Sequence, residues 1–354
     1  MSRYWSNLIK NIEPYTPGEQ PDDKKYIKLN TNENPYPPSP RVIEAVKRVA
    51  NESLKLYPST TCDELKSAIA WHYGIEKEQV FVGNGSDEVL AFSFMAFFNP
   101  GRHILFPDIT YSFYPVYSSL FNIDYRLIPL DDDFSVTVEG FCRDNGGIVI
   151  ANPNAPTGKY LPLESIEKIL QCNSGSVVII DEAYIDFGGE SALKLVNEYP
   201  NLLIIQTVSK SRSLAGLRVG YAMGHKELIL GLGRVKNSIN SYTLDRIALA
   251  GAVEAFRDEA CFRENCQKII RTRENAVTRL KAMNFSVIDS KANFVFISHP
   301  SICAETLLQR LRERGILVRY FNKPRIDNYI RVSIGSDDEM DIALKAMEEI
   351  ILLQ

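Results

Sequence analysis

The 354-residue chain contains no long apolar run. Its longest strongly apolar stretch, Ala91 to Phe98, falls far short of the roughly 20 residues needed to cross a bilayer. The opening segment MSRYWSNLIKNIEPYTPGEQ has no apolar centre of signal-peptide length. A cytoplasmic location and no membrane partner are therefore expected. Positive charge is not in excess, with 40 Lys and Arg against 44 Asp and Glu for a net charge of −4. No basic field is left to hold nucleic acid. The four histidines (His72, His103, His225, His299) lie apart, and the six cysteines include no Cys-x-x-Cys pair. The closest cysteines, Cys261 and Cys266, have no neighbouring histidine, so no metal site is expected. The six read as reduced thiols. Repeats and low-complexity segments are absent too. What is present is ordinary globular composition, 45% hydrophobic and 24% charged, at a length that suits two domains.

The first forty residues, rich in proline and polar groups, read as an extended arm. Ser39-Pro40 opens a helix. Thr61-x-x-Glu64 reads as a capping box for a second helix that ends at Gly74. Seven strands then follow, at 79–82, 103–106, 123–128, 148–151, 177–180, 202–206 and 217–223, with helices among them. Continuous Val/Ile/Leu strands of this kind predict a largely parallel sheet covered on both faces. After about Asp245 a long charged amphipathic stretch runs to Met283. Short strands and two helices follow, capped at Ser301 and at Ser336-x-x-Glu339. The expected division is an arm over 1–38, a large domain over 39–260 and a smaller α+β domain over 261–354.

Lysine is rarely buried, yet Lys210 follows the apolar run Leu202 to Ile205. Another such run, Val177 to Ile180, ends in Asp181-Glu182-Ala183-Tyr184. Ligands of parallel sheets bind outside the carboxyl ends of the strands. A lysine that forms an imine, with an aspartate that keeps a ring nitrogen cationic, is how pyridoxal phosphate is mounted. Ser209 and Arg218 flank Lys210 at spacings suited to one phosphate, and Arg218 would also help to lower the lysine's pKa. Gly83-Asn84-Gly85-Ser86-Asp87-Glu88 places free N–H groups at a helix start, where an anion can sit. Glu88 occupies the third glycine position of the dinucleotide fingerprint, which disfavours that reading. Tyr111 is open to two readings, a ring that stacks on a flat cofactor or a helix-face tyrosine beside Tyr114 and Tyr117. The turn Asn152-Pro153-Asn154-Ala155-Pro156-Thr157-Gly158 closes another strand. Arg319 and Arg331 lie on strands, where each needs an anionic partner, either an internal carboxylate or a substrate group.

These segments together resemble the fold-type I pyridoxal-phosphate aminotransferases, chiefly through DEAYIDF and SK…LAGLRVGYA. GNGSDE, LNTNENPYPPSP at Leu29 to Pro40 and LYPST at Leu56 to Thr60 are similar to the histidinol-phosphate branch. The resemblance implies a mostly parallel seven-stranded sheet in a large domain, beside a smaller α+β domain. It implies that Lys210 carries pyridoxal 5'-phosphate and moves the substrate proton, that Asp181 pairs with the ring nitrogen and that Tyr184 bonds the ring oxygen. Ser209, Arg218, Ser86 and the amides of Gly85 and Asp87 would hold the phosphate. Tyr111 would stack on the ring and Asn154 would touch it. Tyr57 would reach the cofactor of a second subunit, making the unit a homodimer. Tyr15, Asn34, Arg319 and Arg331 would face the substrate.

The implied reaction is transamination of L-histidinol phosphate with 2-oxoglutarate, giving imidazole-acetol phosphate and glutamate in histidine biosynthesis. Threonine-phosphate decarboxylase and aromatic amino acid aminotransferase are the alternatives. A regulator's effector domain is disfavoured by the negative charge and by the lack of room for a DNA-binding module. Two positions depart from the family. Ala155 stands where an asparagine usually touches the ring oxygen, which leaves the role to Asn154 or to Tyr184 alone. Arg212 stands where an aromatic is common, and would alter packing on the cofactor face or add a cation near the phosphate.

Overall fold

The computed structural model describes residues 2–23 and 25–353. Its centre is a seven-stranded sheet in the order Val80–Asn84, Val219–Gly224, Leu202–Thr207, Val178–Asp181, Ile148–Ala151, Ile104–Pro107, Tyr125–Ile128. Val219–Gly224 is antiparallel to both of its neighbours, and the remaining pairings are parallel. Six strands therefore share one direction. The central strands are buried throughout, as their unbroken apolar sequences require.

This topology gathers chemistry at one edge. Asn84, Pro107, Ala151, Asp181 and Thr207 all end strands there. Arg218 joins them because Val219–Gly224 runs the other way, so its preceding residue lies at that same edge. Two glycines allow the close approach. A Cβ on Gly220 would lie 2.3 Å from the Gly85 carbonyl carbon and the Ser86 nitrogen. A Cβ on Gly85, whose φ is +80°, would lie 2.5 Å from Arg218 Nη2.

A second core surrounds the four-stranded antiparallel sheet Arg319–Tyr320, Ile330–Ser333, Phe294–Ser298, Ser286–Ile288. Residues 316–320 are divided between two sheets. Ile316–Leu317 pairs with Ile27–Lys28 of the arm, and the next residues turn into the four-stranded sheet. The long stretch after Asp245 is two helices, Arg246–Arg257 and Glu259–Ala282, separated by Asp258, which caps the second through the Cys261 N–H. Lys226–Ile239 is a further helix.

Two predicted caps are corrected. The helix Asp63–Tyr73 starts after Cys62, at φ +53°, and Thr61 bonds Asp63 instead of closing a capping box. Ala304–Glu313 starts after Cys303, not at Ser301. The Ser336–Glu339 box forms as predicted.

The expectation of six thiols is also corrected. Cys142 and Cys172 form a disulfide, with Cα atoms 5.4 Å apart. Each lies at the end of a short helix, Val138–Phe141 and Leu163–Cys172. Asn173 donates to Phe141 O at 3.1 Å and ties those ends together.

Candidate active site

The carboxyl edge of the large sheet opens on a cavity of about 180 Å³. Lys210 and Asp181 both line it, with Tyr184, Ser86, Ser209 and Arg218. Lys210 Nζ donates to Thr31 O at 3.1 Å, so the arm is fastened to the lysine. Burial is the first cause that lowers the lysine to a pKa of about 8. Arg331 and Arg218 push the same way, against Glu33 and Asp87.

Asp181 ends its strand buried (5% exposed). Its Oδ2 accepts from Tyr114 Oη at 2.9 Å and its Oδ1 from Ala183 N at 3.3 Å. Burial raises it to about 6, against those hydrogen bonds. No cation of the chain pairs with it among the described residues, so a cationic group in the cavity would be its natural partner. The neighbouring Glu182 faces away, onto Ser191, Ala192 N and Gln206.

The helix Gly85–Phe97 brings Ser86 and Asp87 to the cavity. Asp87 acts through its carboxylate as well as its place in the turn. Its Oδ2 accepts from Arg218 Nη2 at 3.0 Å and its Oδ1 from Tyr111 Oη at 2.9 Å. The Ser209 and Thr207 hydroxyls are bonded to each other at 2.8 Å. Serine hydroxyls, a guanidinium and a helix start together form a set of donors for a phosphate.

Toward the mouth, Arg319 donates to Thr16 O at 3.0 Å and Pro17 O at 3.2 Å. Arg331 donates to Asn30 O at 3.0 Å, and its Nε is buried without a partner. Tyr15 stacks on Phe113 with ring centroids 4.4 Å apart. Neither arginine meets an internal carboxylate among the described residues, and both line the cavity.

Four of the expected contact residues lie elsewhere. Gly85 is behind the wall, under Arg218. Asn34, expected to face substrate, instead donates its amide to the carbonyls of Lys210 (3.0 Å) and Ser211 (3.3 Å), because its turn runs beneath the lysine loop. Asn154 turns away from the cavity onto Thr110, Ile109 and Thr157. Tyr57 is 79% exposed and stacked on Tyr242 at 4.5 Å, outside the cavity of its own chain.

Arg212 adds no cation near the cavity. It is buried between Phe256 and Phe262, at 4.1 Å and 4.0 Å, and bonds Ala255 O and His72. Residues not singled out in the sequence also line the cavity, Thr31 and Asn32 of the arm among them. Tyr114, named only as a helix-face tyrosine, bonds Asp181. A polar cluster such as LNTNEN beside the arm strand was the available signal for the first two.

The fold is that of the fold-type I aminotransferases. The structure of histidinol-phosphate aminotransferase from Sinorhizobium meliloti in complex with pyridoxal-5'-phosphate superposes with a TM-score of 0.90 at 24% identity, covering 100% of this chain and 99% of that one. Aspartate aminotransferase from Thermus thermophilus with maleate gives 0.84 at 20% identity, over 99% and 100% of the two chains. A family model described as aminotransferase class I and II matches residues 24–347, and the chain belongs to that family. It is similar to histidinol-phosphate aminotransferase of Clostridium acetobutylicum, with 63% identity over 99% of this chain and 100% of that one. The Clostridium beijerinckii protein of the same name is 56% identical over 99% and 98%. Among the described residues no helix is long and apolar enough to cross a membrane, and no cluster of three or more potential ligands could hold a metal ion.

Proposed function

We propose that the chain binds pyridoxal phosphate and transfers the amino group of L-histidinol phosphate to 2-oxoglutarate, giving imidazole-acetol phosphate and glutamate. The observation that carries this reading is a single cavity holding both an amine of lowered pKa, Lys210, and a buried carboxylate without a cation, Asp181. The cavity fits the cofactor on two further counts. Ser86, Ser209 and Arg218 supply donors for its phosphate, and glycine at 85 and 220 lets Arg218 and the helix start pack closely enough to converge on it. Bound there, pyridoxal phosphate supplies an electron sink for the substrate's α-carbon.

The protein's own groups do the rest. Lys210 Nζ would hold the cofactor and, when free, would move the proton at the substrate's α-carbon. A pKa near 8 keeps part of it neutral at working pH. Asp181 would pair with the ring nitrogen and keep it protonated. Tyr111, which lines the same cavity, would lie against the ring. Arg331 and Arg319, with Tyr15, take the anionic end of the substrate, and both guanidinium groups line the cavity without an internal carboxylate. Identity of 63% to a full-length relative named for this reaction supports the choice of substrate.

We further assign the active unit as a homodimer. Tyr57 is exposed in a stretch with exposed Leu54 and Leu56 and stacks on the exposed Tyr242, and from there it reaches the phosphate of a second copy. The division into arm (1–38), large domain (39–260) and small domain (261–354) belongs to the same reading.

The test is a side-by-side assay of protein loaded with pyridoxal phosphate. Histidinol phosphate with 2-oxoglutarate should yield glutamate. Carbon dioxide release from threonine phosphate without glutamate would identify a decarboxylase instead.

A further inference from the structure

The cavity wall at Ala155 and Pro156 has no polar side chain to offer. The asparagine beside it is committed elsewhere. Asn154 is 2% exposed, its Oδ1 accepts from Thr110 Oγ1 at 2.8 Å, and its Nδ2 donates to Ile109 O at 2.9 Å and Thr157 Oγ1 at 3.1 Å. An amide has two donor hydrogens, and both are used.

Tyr184 has a partner of its own. Asn32 Nδ2 donates to Tyr184 Oη at 3.1 Å. Asn32 is 1% exposed and sits at φ +58°, a left-handed backbone that asparagine tolerates better than most residues. Its amide is locked in orientation. Ser333 Oγ accepts from Asn32 N at 2.9 Å and so turns its own proton onto Asn32 Oδ1, 2.8 Å away. Asn293 Nδ2 holds the Asn32 carbonyl at 3.0 Å. With Oδ1 occupied, the face toward the phenol is the NH₂.

A phenol has one proton. When its oxygen takes an N–H from Asn32, that proton points away from Asn32. On the reading that pyridoxal phosphate fills this cavity, we propose that Asn32 is a positioning residue that makes Tyr184 an obligate donor to the cofactor's ring oxygen, replacing by relay the amide missing at position 155. A hydroxyl whose oxygen already accepts a hydrogen bond is also the stronger donor. Burial pushes the Tyr184 phenol up, and Arg331 and then the Asn32 amide oppose it.

The relay is read in the pH midpoint of the holoenzyme's visible absorbance. A donor on the ring oxygen stabilises the form in which that oxygen keeps its negative charge to itself, so the donor lowers the midpoint. Asn32→Gly tolerates the left-handed backbone, adds no charge and removes the amide. It should raise the midpoint by up to about one pH unit, the worth of one neutral hydrogen bond. In a Tyr184→Phe background the same change should have little effect. Ala155→Asn, which adds a direct donor, should lower the midpoint. Should Asn32→Gly not fold, Ser333→Ala frees Oδ1 and is expected to shift the midpoint in the same upward direction. An unchanged midpoint in the folded variant, or an equal shift with and without the Tyr184 hydroxyl, overturns the relay. Wild-type protein that gains no visible band with pyridoxal phosphate overturns the cofactor reading, and the relay with it, and so separates the two failures.

Discussion

Asp181 and Glu182 are consecutive buried carboxyls with separate partners, and both titrate high, at about 6 and about 7, chiefly through burial. The folded chain without cofactor therefore keeps two protons that the unfolded chain, with carboxyl pKa values of about 4, has released. The contribution of this pair to stability is fully present below about pH 4 and is lost as pH rises to about 7. A cationic ring nitrogen relieves Asp181 and leaves Glu182 as it was. The melting temperature gained on adding pyridoxal phosphate should thus widen from about pH 5 to about pH 7. Thermal melts of both forms across that range check this, and a constant gap counts against the pairing. Lys210, Asp181 and Tyr184 were legible in the sequence because each stands where an apolar strand gives way to a polar group. Asn32 and Tyr114 were not, since their partners lie 152 and 67 residues away. Arg212 misled for the same reason, its aromatic partners being Phe256 and Phe262.

At the scale of elements, the strands were legible because burial on both faces leaves an uninterrupted apolar run. Their order was not, because pairing depends on contacts far apart in the chain. The reversal of Val219–Gly224 shows what depends on that order. It sets Arg218 beside the start of the helix Gly85–Phe97, and Gly220 is the point of contact. Gly220→Ala should force the helix start back, cost about 1–3 kcal/mol of stability and loosen the cofactor. Denaturant unfolding together with a cofactor-release assay reads both effects, and a stable variant that retains cofactor as the parent does would contradict the close packing. Where the polypeptide turns at short range, the sequence reading was weaker. Thr61 was assigned a cap that Cys62 forecloses by its left-handed backbone.

For the whole molecule, the exposed Tyr57, outside the cavity of its own chain, points to a second copy. If the second copy completes each site, Lys210→Ala in one chain and Tyr57→Ala in the other fall in the same site of a mixed dimer and leave the other site whole. Each homodimer should be strongly impaired. Co-refolded mixtures should regain activity in the hybrid, which carries one intact site. Assay after separation of differently tagged chains measures this, and hybrids no more active than their parents would exclude a shared site.

The path of residues 316–320 has a wider bearing. Its first two residues are stitched to the arm and its last two to the four-stranded sheet, while Arg319 grips the arm again at Thr16 and Pro17. The end of the chamber that would select a guest by its tail is thus suspended from the leading segment, whereas the end that carries out bond-making rests on the rigid central sheet. Variation around Thr16 and Pro17, away from Thr31 and Asn32 that touch Lys210 and Tyr184, can therefore retune which amines are admitted while the underlying chemistry stays as it is.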